Sequence, residues 1–170
     1  MALSGPQLIT LKAAILADPL LNAYPNTTDG NFDMASGGPL QNLGLRAPAA
    51  APNNVVWKSN VSITSAGDNI VASELAGLST LNATRLQTIV QLSPAGINPS
   101  MADRRAFFDD VFSGAGGVAT RAKLLLLWKR IANKLEKIFA TGTGSDATPA
   151  TMTVEGFISG TDVSAARDLP

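Results

Sequence analysis

Apolar residues recur at helical spacing along much of this 170-residue chain. Leu8, Leu11 and Ile15 share one face of a segment from Gly5 to Ala17, with Leu16 beside them, because positions three and four apart stack on the same side of a helix. Ser4 precedes the segment and Gln7 follows three residues on, an order that lets each bond the other's backbone at a helix start. Pro19 disfavours helical backbone at Asp18, so this helix is predicted to stop at Ala17. Further helices are predicted near 66–77, from Thr80 to Leu92 ahead of Ser93-Pro94, and from a Ser100 cap through Phe112, with Asp103 in the first turn. The longest stripe joins Leu124, Trp128, Ile131, Leu135 and Ile138, widened by Leu127, Ala132 and Phe139. It predicts one continuous helix from Val118 to Ala140, about 23 residues or roughly 35 Å long, buried on more than one side. Thr161 is the expected cap of a last short helix, Asp162 to Arg167.

The texture changes between residues 24 and 67, where prolines, glycines and asparagines punctuate the chain. Val55-Val56-Trp57-Lys58 and Val61-Ser62-Ile63-Thr64 read as short extended segments inside an irregular arm. Compact domains rarely carry so long an irregular stretch without a use for it. Two readings stand: the arm lies along a neighbouring subunit, or it meanders over the protein's own core. Phe32, Val55, Val56 and Trp57 are its interface candidates, with Trp57 the leading anchor because a large aromatic needs a pocket. Met152 to Ile158 reads as a strand that could pair with a neighbour's sheet edge, which adds Val154 and Phe157 as interface candidates. The fold expected is mainly α: a small helical bundle around one long central helix, with a long irregular arm (24–67), a helical core (66–140) and a short C-terminal β segment and helix (151–170). The length suits a single domain.

Composition narrows the function. Only 15% of residues are charged, and 13 basic residues balance 13 acidic ones. A lightly charged surface suits a subunit that covers itself with neighbours, and a neutral balance gives no bulk attraction to nucleic acid or anionic membrane. The chain has no cysteine and no histidine, which removes thiolate chemistry, the commonest zinc ligands and the commonest general base. No catalytic, metal or cofactor site is expected, nor a small-molecule substrate. The N-terminus lacks the basic and apolar regions of a signal peptide, and the apolar runs are too short to span a bilayer. Synthesis and residence in the cytoplasm are expected, and the sequons at Asn26, Asn60 and Asn82 carry no glycosylation meaning there.

Three motifs invite chemistry. Gly142-Thr143-Gly144 and Gly114-Ala115-Gly116-Gly117 resemble phosphate loops, but neither lies between a strand and a following helix, so both read as helix terminations. Asp103, Asp109 and Asp110 could form a cation cluster, yet adjacent helical residues diverge by about 100°, which favours a solvated face. Arg121, Lys123, Lys129, Arg130, Lys134 and Lys137 outnumber Glu136 along the predicted long helix by six to one, or +5. That stripe could contact DNA phosphates or simply be solvated; the solvated reading is preferred, and direct DNA contact is not expected.

The run Glu136-Lys137-Ile138-Phe139-Ala140-Thr141-Gly142-Thr143-Gly144, followed by Pro149-Ala150-Thr151-Met152, resembles structural proteins of the tailed-bacteriophage head-to-tail region. So do Val154-Glu155-Gly156, Asp162-Val163, Ala166-Arg167, the Ile9-Thr10-Leu11-Lys12 opening and Trp57-Lys58. The resemblance covers the C-terminal third best. It implies a non-catalytic connector (neck) protein of the helical adaptor type, a homo-oligomeric ring between portal and tail or stopper proteins, located in the virion. Capsid decoration or another tail structural role is the nearest alternative. A small DNA-binding packaging or regulatory protein is the next, and a carboxylate-dependent enzyme the last.

Overall fold

The computed structural model describes residues 2–23, 44–156 and 158–170. In chain order the elements are α1 (Gly5–Ala17), α2 (Pro19–Asn22), β1 (Val55–Trp57), α3 (Ile63–Asp68), α4 (Ala72–Ala76), α5 (Thr80–Leu92), α6 (Ala102–Val111), a 3-10 turn (Ala115–Gly117), α7 (Val118–Trp128), β2 (Lys129–Ile131), α8 (Lys134–Phe139), β3 (Ala140–Thr141), β4 (Thr151–Met152) and α9 (Gly160–Arg167). The described part of the protein is mostly helical, with 55% of the described residues in helix. Among the described residues the strands form two two-stranded sheets, β1 with β2 and β3 with β4, beside isolated bridges such as Val61 with Ile97. Where the sequence suggested one domain, the chain divides into two compact units, Met1–Val56 with Ile131–Pro170, and Trp57–Arg130.

In the first unit α1 packs against α2, α8 and α9. Its bounds are those expected, with Ser4 N–H donating to Gln7 Oε1 at 2.9 Å and the helix ending before Pro19. Leu11 and Ile15 enter a core with Leu21, Leu45, Leu135, Phe139, Val154, Ile158 and Val163. Asp18 ends α1 and starts α2, its Oδ1 accepting from Leu20 N–H at 2.9 Å, while Oδ2 meets Lys134 Nζ at 2.7 Å. That bond to Lys134 holds the Asp18 carboxyl below the ordinary carboxylate range, against an upward push from burial and with help from the Leu20 and Leu21 amides. A small cluster of Ala49, Val56, Ala132 and Ala150 completes the unit.

The second unit is built on a different core. Trp57, Val61, Leu86, Ile89, Ile97, Phe108, Phe112, Leu124 and Trp128 are buried together, with α5 against α6. Phe108 stands edge-on to both Phe107 and Trp128, with ring centroids 5.4 Å apart in each pair, the geometry aromatic quadrupoles favour. Helix α5 has its predicted bounds, capped by Ser79 Oγ accepting from Asn82 N–H at 3.2 Å.

The long central helix is not continuous. After α7 the backbone becomes extended at Lys129, and its polar groups bond sideways. Trp128 O accepts from Lys58 N–H, and Ala132 N–H donates to Asn54 O, both at 2.8 Å. Helix α8 then starts afresh. Asn133 Oδ1 accepts from Glu136 N–H at 2.7 Å, and Glu136 Oε2 accepts from Asn133 N–H at 3.0 Å. That reciprocal cap is written in the sequence as Asn133-x-x-Glu136, and it outweighs the unbroken apolar stripe. Ile131, expected in the stripe, is 52% exposed.

Other expectations also shift. Ser62 caps α3 by accepting from Ser65 N–H at 3.0 Å, so Ile63 and Thr64 are helical rather than extended. The helix expected near 66–77 is two short ones, α3 and α4. Ser100 bonds Asn98 Oδ1 through both its N–H and its Oγ, leaving Met101 at the cap position of α6. The C-terminal strand is two residues, Ala140 opposite Met152 and Thr141 opposite Thr151, because the chain bends away after Met152 through Thr153, whose Oγ1 donates to Phe139 O, and through Gly156 at φ 84. Ser159, not Thr161, caps α9, paired reciprocally with Asp162. Of the irregular arm, residues 24–43 fall outside the described residues.

Both glycine runs are structural. Gly144 has φ 70, its carbonyl accepts from Val55 N–H at 2.8 Å, and a Cβ there would stand 2.7 Å from Asn53 O. Gly117 turns the chain into α7 so tightly that a Cβ would lie 1.9 Å from Phe112 O. Gly117→Ala is therefore predicted to destabilise the second unit by about 1–3 kcal/mol, read as a lower urea midpoint.

Asp162 ties the first unit's ends together. Its Oδ1 accepts from Leu3 N–H at 2.9 Å, and its Oδ2 from Ser159 N–H and Oγ. Burial pushes this carboxyl up, but the bonds from Leu3 and Ser159 outweigh it and hold it below the ordinary carboxylate range. A lowered folded pKa stabilises above the unfolded value of about 3.9 and loses that contribution as pH falls through the folded value. Asp162→Ala should cost about 1–3 kcal/mol at neutral pH, by leaving buried donors unpaired. It should also flatten the acid limb of a stability-versus-pH curve below about pH 4.

Candidate assembly surface

Helix α7 is placed by an anchor delivered from elsewhere in the second unit. Gly117 offers no capping side chain, and Glu74 of α4 supplies the acceptors instead. Its Oε1 receives Ala119 N–H at 3.0 Å and its Oε2 receives Thr120 N–H at 2.7 Å. A carboxylate at a helix N-terminus satisfies free amides and meets the positive end of the helix dipole. The bond with the Thr120 side chain, then the two amides and Arg121, lower the Glu74 pKa against burial. Thr120 Oγ1 in turn accepts from Val71 N–H at 3.0 Å.

So anchored, α7 turns Thr120, Leu124 and Trp128 into the core. Its opposite side is also apolar. Val118, Ala122, Leu125 and Leu126 fall at i, i+4, i+7 and i+8, an arc of about 100°. All four are exposed, Leu126 at 70%. Helix sides this apolar are normally covered, and here one of them is exposed among the described residues.

Beside that face lies a cleft of about 290 Å³ lined by Trp57, Arg105, Phe108, Asp109, Arg121, Leu125 and Trp128 among others. The Arg105 guanidinium lies 4.1 Å from the Trp57 ring centroid, and its Nη1 donates to Pro99 O and Ser100 O. Burial lowers its pKa, with Asp109 and Asp103 opposing. Arg121 Nη1 donates to Phe112 O and Gly114 O. The Trp128 Nε1–H is buried without a hydrogen-bond partner among the described residues. The cleft is therefore rich in donors and aromatic surface, and suits an acceptor-bearing group better than a proton-transfer reaction.

The residues singled out in the sequence are placed differently. Trp57 is 8% exposed under Arg105, and Val56 and Val154 are buried in the chain's own cores. Val55 is half-buried, its N–H bonded to Gly144 O and its carbonyl to Ala150 N–H. Within the described part of the arm, then, Leu45, Val56, Trp57 and Val61 are buried in the chain's own cores, as in the reading of an arm that meanders over the protein's own core. Phe32 and Phe157 lie outside the described residues. Among the acidic candidates, Asp110 pairs with Arg85 at 2.7 Å on an exposed face, and no group of three or more metal-ligating side chains occurs among the described residues. The basic stripe is divided among α7, β2 and α8 by the helix break. Lys134 bonds Asp18, and Lys137 donates to Ala50 O and Pro52 O. No described helix is long and apolar enough to cross a membrane.

The signal overlooked was the second stripe of α7, which a single-core reading absorbs into the first. An equivalent stripe occupies α1 in the first unit. Ile9, Ala13, Leu16 and Ala17 repeat the i, i+4, i+7, i+8 spacing and are exposed, and Leu20 of α2 lies beyond them. The chain matches no family model, no curated protein and no solved structure.

Trp57→Ala is predicted to cost about 3–5 kcal/mol by opening a cavity under Arg105, seen as a large drop in the denaturation midpoint. Loss of association with no loss of stability would instead return Trp57 to the interface.

Proposed function

We propose that this protein is a non-catalytic structural subunit working as one copy among many, of the kind that joins head to tail in a tailed bacteriophage virion. The observation that carries the assembly reading is the uncovered apolar side of α7. Left in water, such a patch is a liability for a monomer; covered by another subunit, it becomes an interface core. The low charge content and the absence of cysteine and histidine agree with a packing role. The virion assignment, with portal and tail or stopper proteins as neighbours, rests on the sequence resemblance alone. Its finer form, a ring-forming adaptor, shares that footing with capsid decoration or another tail role. A DNA-binding role is less well supported, because Arg121, Lys134 and Lys137 already bond within the fold.

The test is sedimentation of the purified full chain over a concentration series, with electron microscopy of the associated fraction. Wild type is expected to form discrete oligomers. The double change Leu125→Gln with Leu126→Gln keeps helix propensity and net charge, and is expected to shift the population toward monomer with an unchanged circular dichroism spectrum. A wild-type chain that stays monomeric at millimolar concentration would overturn the assembly reading.

A further inference from the structure

Two exposed apolar stripes with the same spacing sit on two different compact units, and the formal charges are divided unequally between those units. Trp57–Arg130 holds eight basic and five acidic residues, or +3, and the remainder holds five basic and eight acidic, or −3. The neutral total therefore conceals two opposite halves. Joining α7 to α7, or α1 to α1, brings units of like charge together, whereas joining α7 of one copy to α1 of another brings opposite charges together. Electrostatic complementarity of this kind steers approach and selects orientation more than it adds affinity. The side chains permit this pairing, as they would permit others. Each stripe sets an alanine, Ala122 or Ala13, between larger apolar residues, Val118 and Leu125 or Ile9 and Leu16. A small residue flanked by large ones leaves a hollow that the other helix's larger side chains can enter, as ridges enter grooves when helices pack.

Resting on the assembly reading above, we infer that the partner of the α7 face is a second copy of this chain, docked head to tail through its α1 face. The contact is heterologous: each copy gives one surface and receives on the other, so growth continues until a ring closes or a filament runs on. Lys12 stands next to the α1 stripe, but its ammonium is held by Leu169 O and Pro170 O, so it need not be stripped of water to let a partner in.

A mixing experiment decides the orientation. One variant carries Leu125→Gln and Leu126→Gln on α7; the other carries Ile9→Gln and Leu16→Gln on α1. All four residues are exposed, and circular dichroism and denaturation midpoints confirm that each variant folds. Head-to-tail docking predicts that each variant alone is monomeric by sedimentation. The equimolar mixture should give a heterodimer and no larger species, because only one intact pair of faces remains. Wild type should continue to higher oligomers under the same conditions. If the α1 variant alone still forms dimers, the α7 faces pair with each other; if the α7 variant alone does so, the α1 faces do. Either result overturns this inference while leaving the assembly reading intact. Two monomeric variants that fail to form a heterodimer, with wild type oligomeric, overturn it too. A monomeric wild type removes both.

Discussion

The stretch from Trp128 to Asn133 governs the rest of the structure. Apolar spacing there is continuous with the helices on both sides, yet the backbone bonds outward, Trp128 O to Lys58 N–H and Ala132 N–H to Asn54 O. The Asn133–Glu136 cap then starts a new helix. Backbone donors and acceptors must be satisfied somewhere, and satisfying them sideways divides one apolar stripe between two cores. Leu124 and Trp128 serve one of them, Leu135 and Phe139 the other.

That division explains the exposed side of α7. A long spine buried on several sides within one bundle would have spent all of its apolar surface internally. An eleven-residue helix in a smaller unit covers only the side bearing Thr120, Leu124 and Trp128. Its position is held by polar anchoring, with Glu74 on its first amides and Gly117 admitting the close approach of Phe112. Such anchoring orients the opposite apolar face without covering it. The exposed apolar stripe thus lies on a helix held in place by hydrogen bonds, a surface that needs little ordering to meet a partner.

The arm shows the converse. Trp57 stood out as an interface anchor because a large aromatic in an irregular arm needs a pocket. Its side chain instead lies beneath Arg105 and in the same core as Phe108 and Trp128. Irregular backbone nearby is not the same as an unpacked side chain: Val56 and Trp57 are buried on a strand of three residues.

Local chemistry made several elements legible in the sequence. Pro19 ended α1, Ser93-Pro94 ended α5, and the glycine runs read as helix terminations, because each signal acts within a few residues. The mostly helical class was legible for the same reason. The missing histidine and cysteine narrowed the available chemistry before any fold was known. Which of two competing local signals would win, the stripe through Ile131 or the cap at Asn133, was decided by partners some 70 to 80 residues earlier at Asn54 and Lys58. The candidate surface was hidden for a related reason. Periodicity shows that a helix side is apolar, but only the packed structure decides whether the chain itself covers that side. Among the described residues Val118, Ala122, Leu125 and Leu126 are left exposed, because the core of their unit takes only the side bearing Thr120, Leu124 and Trp128.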